Sequence, residues 1–225
     1  MVLFLWLLFA FRETKRPEEG IKHGHSPIFR IKNPLSFTKL FTRGRRLAGL
    51  SVVTILQAVM SKTAVASISI IHDQQVMQLD PILNSRVVLL RGLALLPGGA
   101  FTRSALPLLG AKAFTLVANA SFALSMWMRS LADAGHRALF FGSLLPIVAG
   151  HQRDVAVAAQ LTTEGLGVGF ERGEIIAAKE NLTVLVNVIV PQYLASLFNR
   201  DPALPFQAGA IAVLASSAAH WLVDD

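Results

Sequence analysis

Cysteine is absent from this 225-residue chain. Disulfides, thiolate nucleophiles and cysteine metal sites are therefore excluded. Charge is scarce too. Asp, Glu, Lys and Arg together make up 16 % of the residues, against about 25 % in a typical soluble domain. A water-soluble chain of this length can bury a good core, but it needs polar residues to cover its outside. Here there are too few, and lipid is the natural cover for the apolar remainder. Enzyme signatures are missing as well. No serine elbow, zinc-binding helix motif, kinase signature or paired nucleophile and base occurs, so neither an enzyme nor a cofactor is expected. Gly165, Gly167 and Gly169 form a G-x-G-x-G run, but no strand precedes it and no lysine grip for phosphate follows. His23 and His25 offer two ligands where a metal needs more, so no metal site is expected.

Apolar residues, by contrast, make up 53 % of the chain, and the mean hydropathy is +0.52. Six long apolar stretches fill residues 48–225, and most charge clusters fall between them. They cover 48–71, 87–109, 113–128, 138–150, 181–198 and 203–223. The fourth is about 20 Å long as a helix, too short for about 30 Å of hydrocarbon. To cross, it must run on past His151, Gln152, Arg153 and Asp154, which must then face protein or a water-filled cavity. Residues 1–11 are also apolar. With cations following rather than preceding them, they read as the end of a transmembrane helix rather than a signal peptide; a short anchor or failed signal is the alternative.

The formal net charge is +7. Position argues against nucleic acid as the partner. Ten of the 21 Lys and Arg lie in the Pro- and Gly-containing linker 12–47, and basic charge beside an apolar span marks a cytoplasmic loop. Alternation then places the C-terminus in the cytoplasm also. Residues 35–41 could form a short amphipathic piece at the membrane surface. Glu164, Glu171, Arg172, Glu174, Lys179 and Glu180 read as a solvated cytoplasmic loop with ion pairs, with gating contacts possible.

Six residues are candidates for substrate binding or coupling. Lys62 lies inside the first stretch, where a buried ammonium is functional by default unless it snorkels to the headgroups. His151 and Asp154 are three apart and would share a helix face. Such a pair can carry a proton. Arg153 would point elsewhere, toward an anionic substrate or a carboxylate. The bland alternative is a helix break at Gly150 with a polar, wet turn. Asn187 and Gln192 could bind substrate or simply bond a neighbouring helix, and Pro191 would kink the helix between them. The glycosylation patterns at Asn119 and Asn181 lie in or at the edge of spans, beyond a transferase's reach.

The order of several short motifs is telling: Phe11-Arg12-Glu13-Thr14; Asn33-Pro34-Leu35-Ser36-Phe37 with Arg45-Arg46-Leu47; Gly99 through Leu109-Gly110-Ala111-Lys112; and Gly173-Glu174, Ala177-Ala178, Asn181-Leu182, Pro191 and Leu197-Phe198. It resembles the C-terminal half of a major facilitator superfamily transporter, of the tetracycline-efflux-like branch. One departure stands out. The family's loop between helices eight and nine carries an aspartate and several arginines, whereas residues 100–109 have Arg103 and no acid. The resemblance implies an all-α integral membrane fold of six spanning helices, after a partial helix and the basic linker. It implies alternating-access transport of a small solute driven by an ion gradient, with a six-helix N-terminal half as partner. The contrasting expectation is a membrane scaffold or assembly protein built on the same fold remnant.

Overall fold

A computed structural model describes the backbone of residues 34–223. The expected stub at 1–11 and most of the linker lie outside the described residues. Every regular element among the described residues is helical. A 3-10 turn at Pro34–Thr38 leads into α1 (Lys39–Thr42), then α2 (Arg45–Ala58), α3 (Lys62–Gln75) and α4 (Pro81–Ser130). Three short helices follow, α5 (Arg137–Gly142), α6 (Leu144–Gly150) and α7 (Val155–Gly167), and then the longer α8 (Arg172–Phe198) and α9 (Leu204–Leu222).

The 50 residues of α4 are two helices joined by a sharp bend at Gly110, whose φ of 72° and ψ of 169° are not helical. In a straight helix Phe101 and Phe114 would lie about 20 Å apart at 1.5 Å per residue. Their ring centroids are 5.9 Å apart, so the chain doubles back as a hairpin. Glycine suits that corner because it reaches positive φ without a Cβ clash. At the other end of the hairpin, the Asp80 carboxylate accepts from the Leu83 amide at 2.6 Å and Pro81 occupies the first turn. Both features are standard starts for a helix.

The first and fourth apolar stretches are interrupted rather than continuous. Ser61 takes an extended backbone (φ −59°, ψ 160°) and its side chain accepts from the Ala64 amide. This cap ends α2 and restarts the chain as α3. The fourth stretch is broken at Ser143 and again at the turn 151–154. Two described helices, α4 and α8, are long and apolar enough to cross a membrane. The expected six unbroken spans are therefore not what forms. The first is split at 59–61, the fourth is three pieces, and the last is a 19-residue helix that includes Gln207, Ser216, Ser217 and His220.

Connections gather at two ends. At one, Lys39 Nζ meets Glu174 Oε1 at 2.7 Å, Arg46 pairs with Glu164 at 3.6 Å, and the Arg43 guanidinium lies 4.3 Å from the Phe170 ring centre. Lys112 lies over the Trp221 ring at this end. At the other end, Met77, Leu79 and Val87 cluster with Ala132 and Phe140, and Gln75 and Ile71 share a cleft with Phe198 and Asn199. Residues 34–47 depart from the expected irregular linker. Leu40 and Leu47 are fully buried in one core with Leu50, Val53, Leu161 and Ile175. The short amphipathic piece thus finds its apolar partner in protein rather than at a membrane surface.

Much apolar surface has no protein partner. Thirty large apolar side chains are exposed among the described residues. They fall in rows along helices, such as Val184, Leu185, Val188, Ile189 and Tyr193 on α8 and Val88, Leu89, Leu93 and Leu96 on α4. Single exposed leucines are ordinary, but contiguous apolar faces mark a surface that something apolar covers.

Candidate functional site

The two breaks meet inside the bundle, and Arg153 joins them. Its guanidinium donates to the carbonyls of Met60 and of Gln57 (3.3 Å), and to the Gly150 carbonyl at 3.4 Å. In a continuous helix the Gln57 and Met60 carbonyls would accept from the amides of Ser61 and Ala64. Here the Ser61 amide donates to Ala58 and the Ala64 amide to the Ser61 side chain. Arg153 therefore satisfies carbonyls freed at the C-terminus of α2, and another at the end of α6. A cation there also faces the negative end of each helix dipole. The Phe122 ring, 3.8 Å from the guanidinium carbon, covers one face of it. Arg153 is 6 % exposed.

A polar chain leads away from this point. The Gln57 amide donates to the Arg153 carbonyl at 3.1 Å and to Asn119 Oδ1 at 3.3 Å. Asn119 in turn donates to Ser216 at 2.9 Å and Ser217 at 2.8 Å. All five residues are buried. Asn119 is thus spent on helix contacts, in keeping with its being out of a glycosyltransferase's reach. Near the far end of α9, the His220 ring nitrogen lies 2.6 Å from Gln160 Oε1.

A cavity of about 250 Å³ opens at the breaks. Its wall includes Thr54, Gln57 and Ser61, then His151, Arg153 and Asp154, and Lys179, Glu180, Thr183 and Asn187 from α8. Four of the six candidate residues therefore come together: His151, Arg153, Asp154 and Asn187. His151 and Asp154 do so from a turn, not from one face of a continuous helix, because the chain is broken at 151–154. Arg153 meets backbone carbonyls and an aromatic face where a carboxylate was the alternative expectation. Gln192 does not join them; it is exposed on α8 and lines neither this cavity nor its neighbour. Lys62 opens α3, and its side chain lies outside the described residues.

A second cavity of about 230 Å³ shares His151 and Arg153 with the first. Its wall adds Arg91 and Arg129, the hydroxyl of Ser69, and an apolar lining that includes Met60, Val65, Leu95, Phe122 and Ile147. Behind it lies a charge cluster that the sequence did not announce. Asp73, 1 % exposed, receives Arg91 Nη2 at 2.7 Å and Arg129 through its other oxygen. Arg129 is itself 2 % exposed and lies between the rings of Phe140 and Phe206. In sequence these three residues read as charges at the ends of separate apolar stretches. The hairpin at Gly110 is what brings two arginines 38 positions apart onto one carboxylate.

Among the described residues no cluster of three metal-ligating side chains occurs. No family model, no curated protein and no solved structure matches this chain.

Proposed function

We propose that the chain crosses a membrane six times and forms one half of a secondary transporter, moving a small solute by alternating access. The observation that carries the proposal is the meeting of two helix breaks, at 59–61 and 151–154, around a polar cavity inside an otherwise apolar bundle. Irregular backbone at membrane depth is tolerated where it lines a cavity, and discontinuous helices are how many transporters build a solute site. The two arms of the α4 hairpin, α8 and α9 supply four passes. The broken pair α2–α3 and the broken trio α5, α6 and α7 supply the other two, with Arg153 serving the backbone groups set free at 57–60 and at Gly150. The charge-bearing connections near 34–47, 103–112 and 164–174 share one end, in agreement with a cytoplasmic face there. His151, Asp154 and Asn187 line the solute path, and Lys62 stands beside the first break. The resemblance to a major facilitator half points the same way and supplies the expected partner, a six-helix N-terminal half.

Uptake into proteoliposomes tests this. The chain is reconstituted alone and with a six-helix N-terminal half of the same superfamily, and labelled anionic, cationic and neutral solutes are offered. Saturable uptake of one class, accelerated by the same solute inside, is expected in the paired sample. If neither sample exceeds empty liposomes for any class, the scaffold assignment replaces transport.

A further inference from the structure

The second cavity carries an excess of positive charge with apolar walls. Three guanidinium groups border it, from Arg91, Arg129 and Arg153. One carboxylate, Asp73, pairs with Arg91 and Arg129, and Asp154 stands beside Arg153 on the wall of the first cavity. His151 is the other titratable group on the wall, and His72 lies beside Asp73 with its Nδ1 3.8 Å from the carboxylate. Counting both histidines as neutral, and Asp154 beside Arg153 as a second anion, the cluster has a formal charge of +1, from three cations less two anions. Arg129, Arg153 and Asp73 are each at least nine-tenths buried, where uncompensated charge is costly. The donors are also underused. The Nε atoms of Arg91, Arg129 and Arg153, and the Ser69 hydroxyl, are buried with no hydrogen-bond partner. Buried donors without acceptors, beside a space large enough for a ligand, are the complement of an anion.

From this we infer that the second cavity binds a small organic anion, its charged group held between Arg91, Arg153 and the Ser69 hydroxyl and its apolar body against Val65, Leu95 and Ile147. Asp73 holds Arg91 and Arg129 in place and keeps the net charge low enough for the empty site to persist. The inference deepens the transporter proposal by naming its solute class, but binding itself needs no transport. The same chemistry, an anion joined to an apolar tail, also occurs in acidic lipids, so the test separates the two.

The full chain, purified in a non-ionic detergent, is titrated by calorimetry with hexanoate and with hexylammonium, which share a tail and differ in charge. Saturable hexanoate binding is expected, with hexylammonium at least tenfold weaker. Arg91→Gln lowers hexanoate affinity at least tenfold. Arg91→Lys, which keeps the charge but loses the planar fork, retains part of it. Leu95→Trp fills the apolar end and weakens binding with every cation intact, which separates ligand loss from misfolding. Equal binding of the two probes, or hexanoate affinity unmoved by Arg91→Gln and Leu95→Trp, would overturn the inference. Thermal stabilisation by phosphatidylglycerol but not by hexanoate would assign the space to a lipid and overturn it also. Hexanoate binding without any flux in proteoliposomes leaves the anion site standing and removes the transporter proposal. Flux of a cation or sugar without hexanoate binding does the reverse.

Discussion

Asp73→Ala is expected to lower the unfolding free energy of the chain in detergent by about 3–5 kcal/mol, the range for removing one partner of a buried ion pair. Three facts set that size. Asp73 is 1 % exposed. It is the carboxylate partner of both Arg91 and Arg129. Arg129 is almost wholly enclosed between two aromatic rings, so water cannot take over when the carboxylate goes. Asp73→Asn keeps the shape and an acceptor oxygen but not the charge, and is expected to fall between Asp73→Ala and the native chain. Thermal or denaturant unfolding of purified protein measures both. A change below about 1 kcal/mol, the worth of an exposed pair, would mean that water reaches the cluster.

Gly150→Ala is the second large effect. A Cβ built on Gly150 would lie 2.6 Å from Phe122 Cβ and 2.7 Å from the Phe122 backbone nitrogen and Cα. Backbone atoms cannot turn aside as a flexible side chain can, so α6 and the second arm of α4 must separate. Overpacking of this kind costs about 1–3 kcal/mol, more where backbone must shift. The damage does not stop at packing. The Gly150 carbonyl accepts from Arg153, whose ring partner is the same Phe122, so the cavity at the breaks should distort with it. Gly92→Ala is the matched control. Nothing lies within 4 Å of a Cβ there, and an Ala in a helix interior gains about 0.5–1 kcal/mol over Gly. Unfolding curves of the two variants should therefore move in opposite directions, and hexanoate affinity should fall in Gly150→Ala alone.

Several features were legible in the sequence for plain physical reasons. The apolar stretches at 87–109 and 113–128 were separable because Gly110-Ala111-Lys112 interrupts them, and the hairpin turns at that glycine. Residues 151–154 stood out because four polar residues lay where hydrocarbon was expected, and of the two readings they allowed, the break after Gly150 with a polar turn is the one that forms. Other features were not legible. The break at 59–61 is marked in sequence only by the short polar run Ser61-Lys62-Thr63, with apolar residues on both sides of it. What makes the break stable is Arg153, more than ninety positions away. The Asp73 cluster was hidden for the same reason. Each of its members closes or opens an apolar stretch and so reads locally as a boundary charge. Only the fold-back at Gly110, together with the return of α3, turns three boundary charges into one buried group. Gln192 shows the converse. A polar amide next to a proline in an apolar helix has the right local features for a site, yet its position on α8 turns it outward, away from the cavity that Asn187 lines.

The absence of cysteine makes the central claim directly measurable. Single cysteines are placed at Arg43, Leu108 and Arg172, near one end of the bundle, and at Gln74, Ala134 and Arg200, near the other. All six positions are exposed. Sealed vesicles of one orientation are then treated with a membrane-impermeant maleimide, before and after permeabilisation. If lipid surrounds the bundle as proposed, one set of three reacts from outside and the other only after permeabilisation. Labelling of all six in sealed vesicles, or a mixed pattern within either set, would contradict a helical bundle that crosses the membrane from end to end.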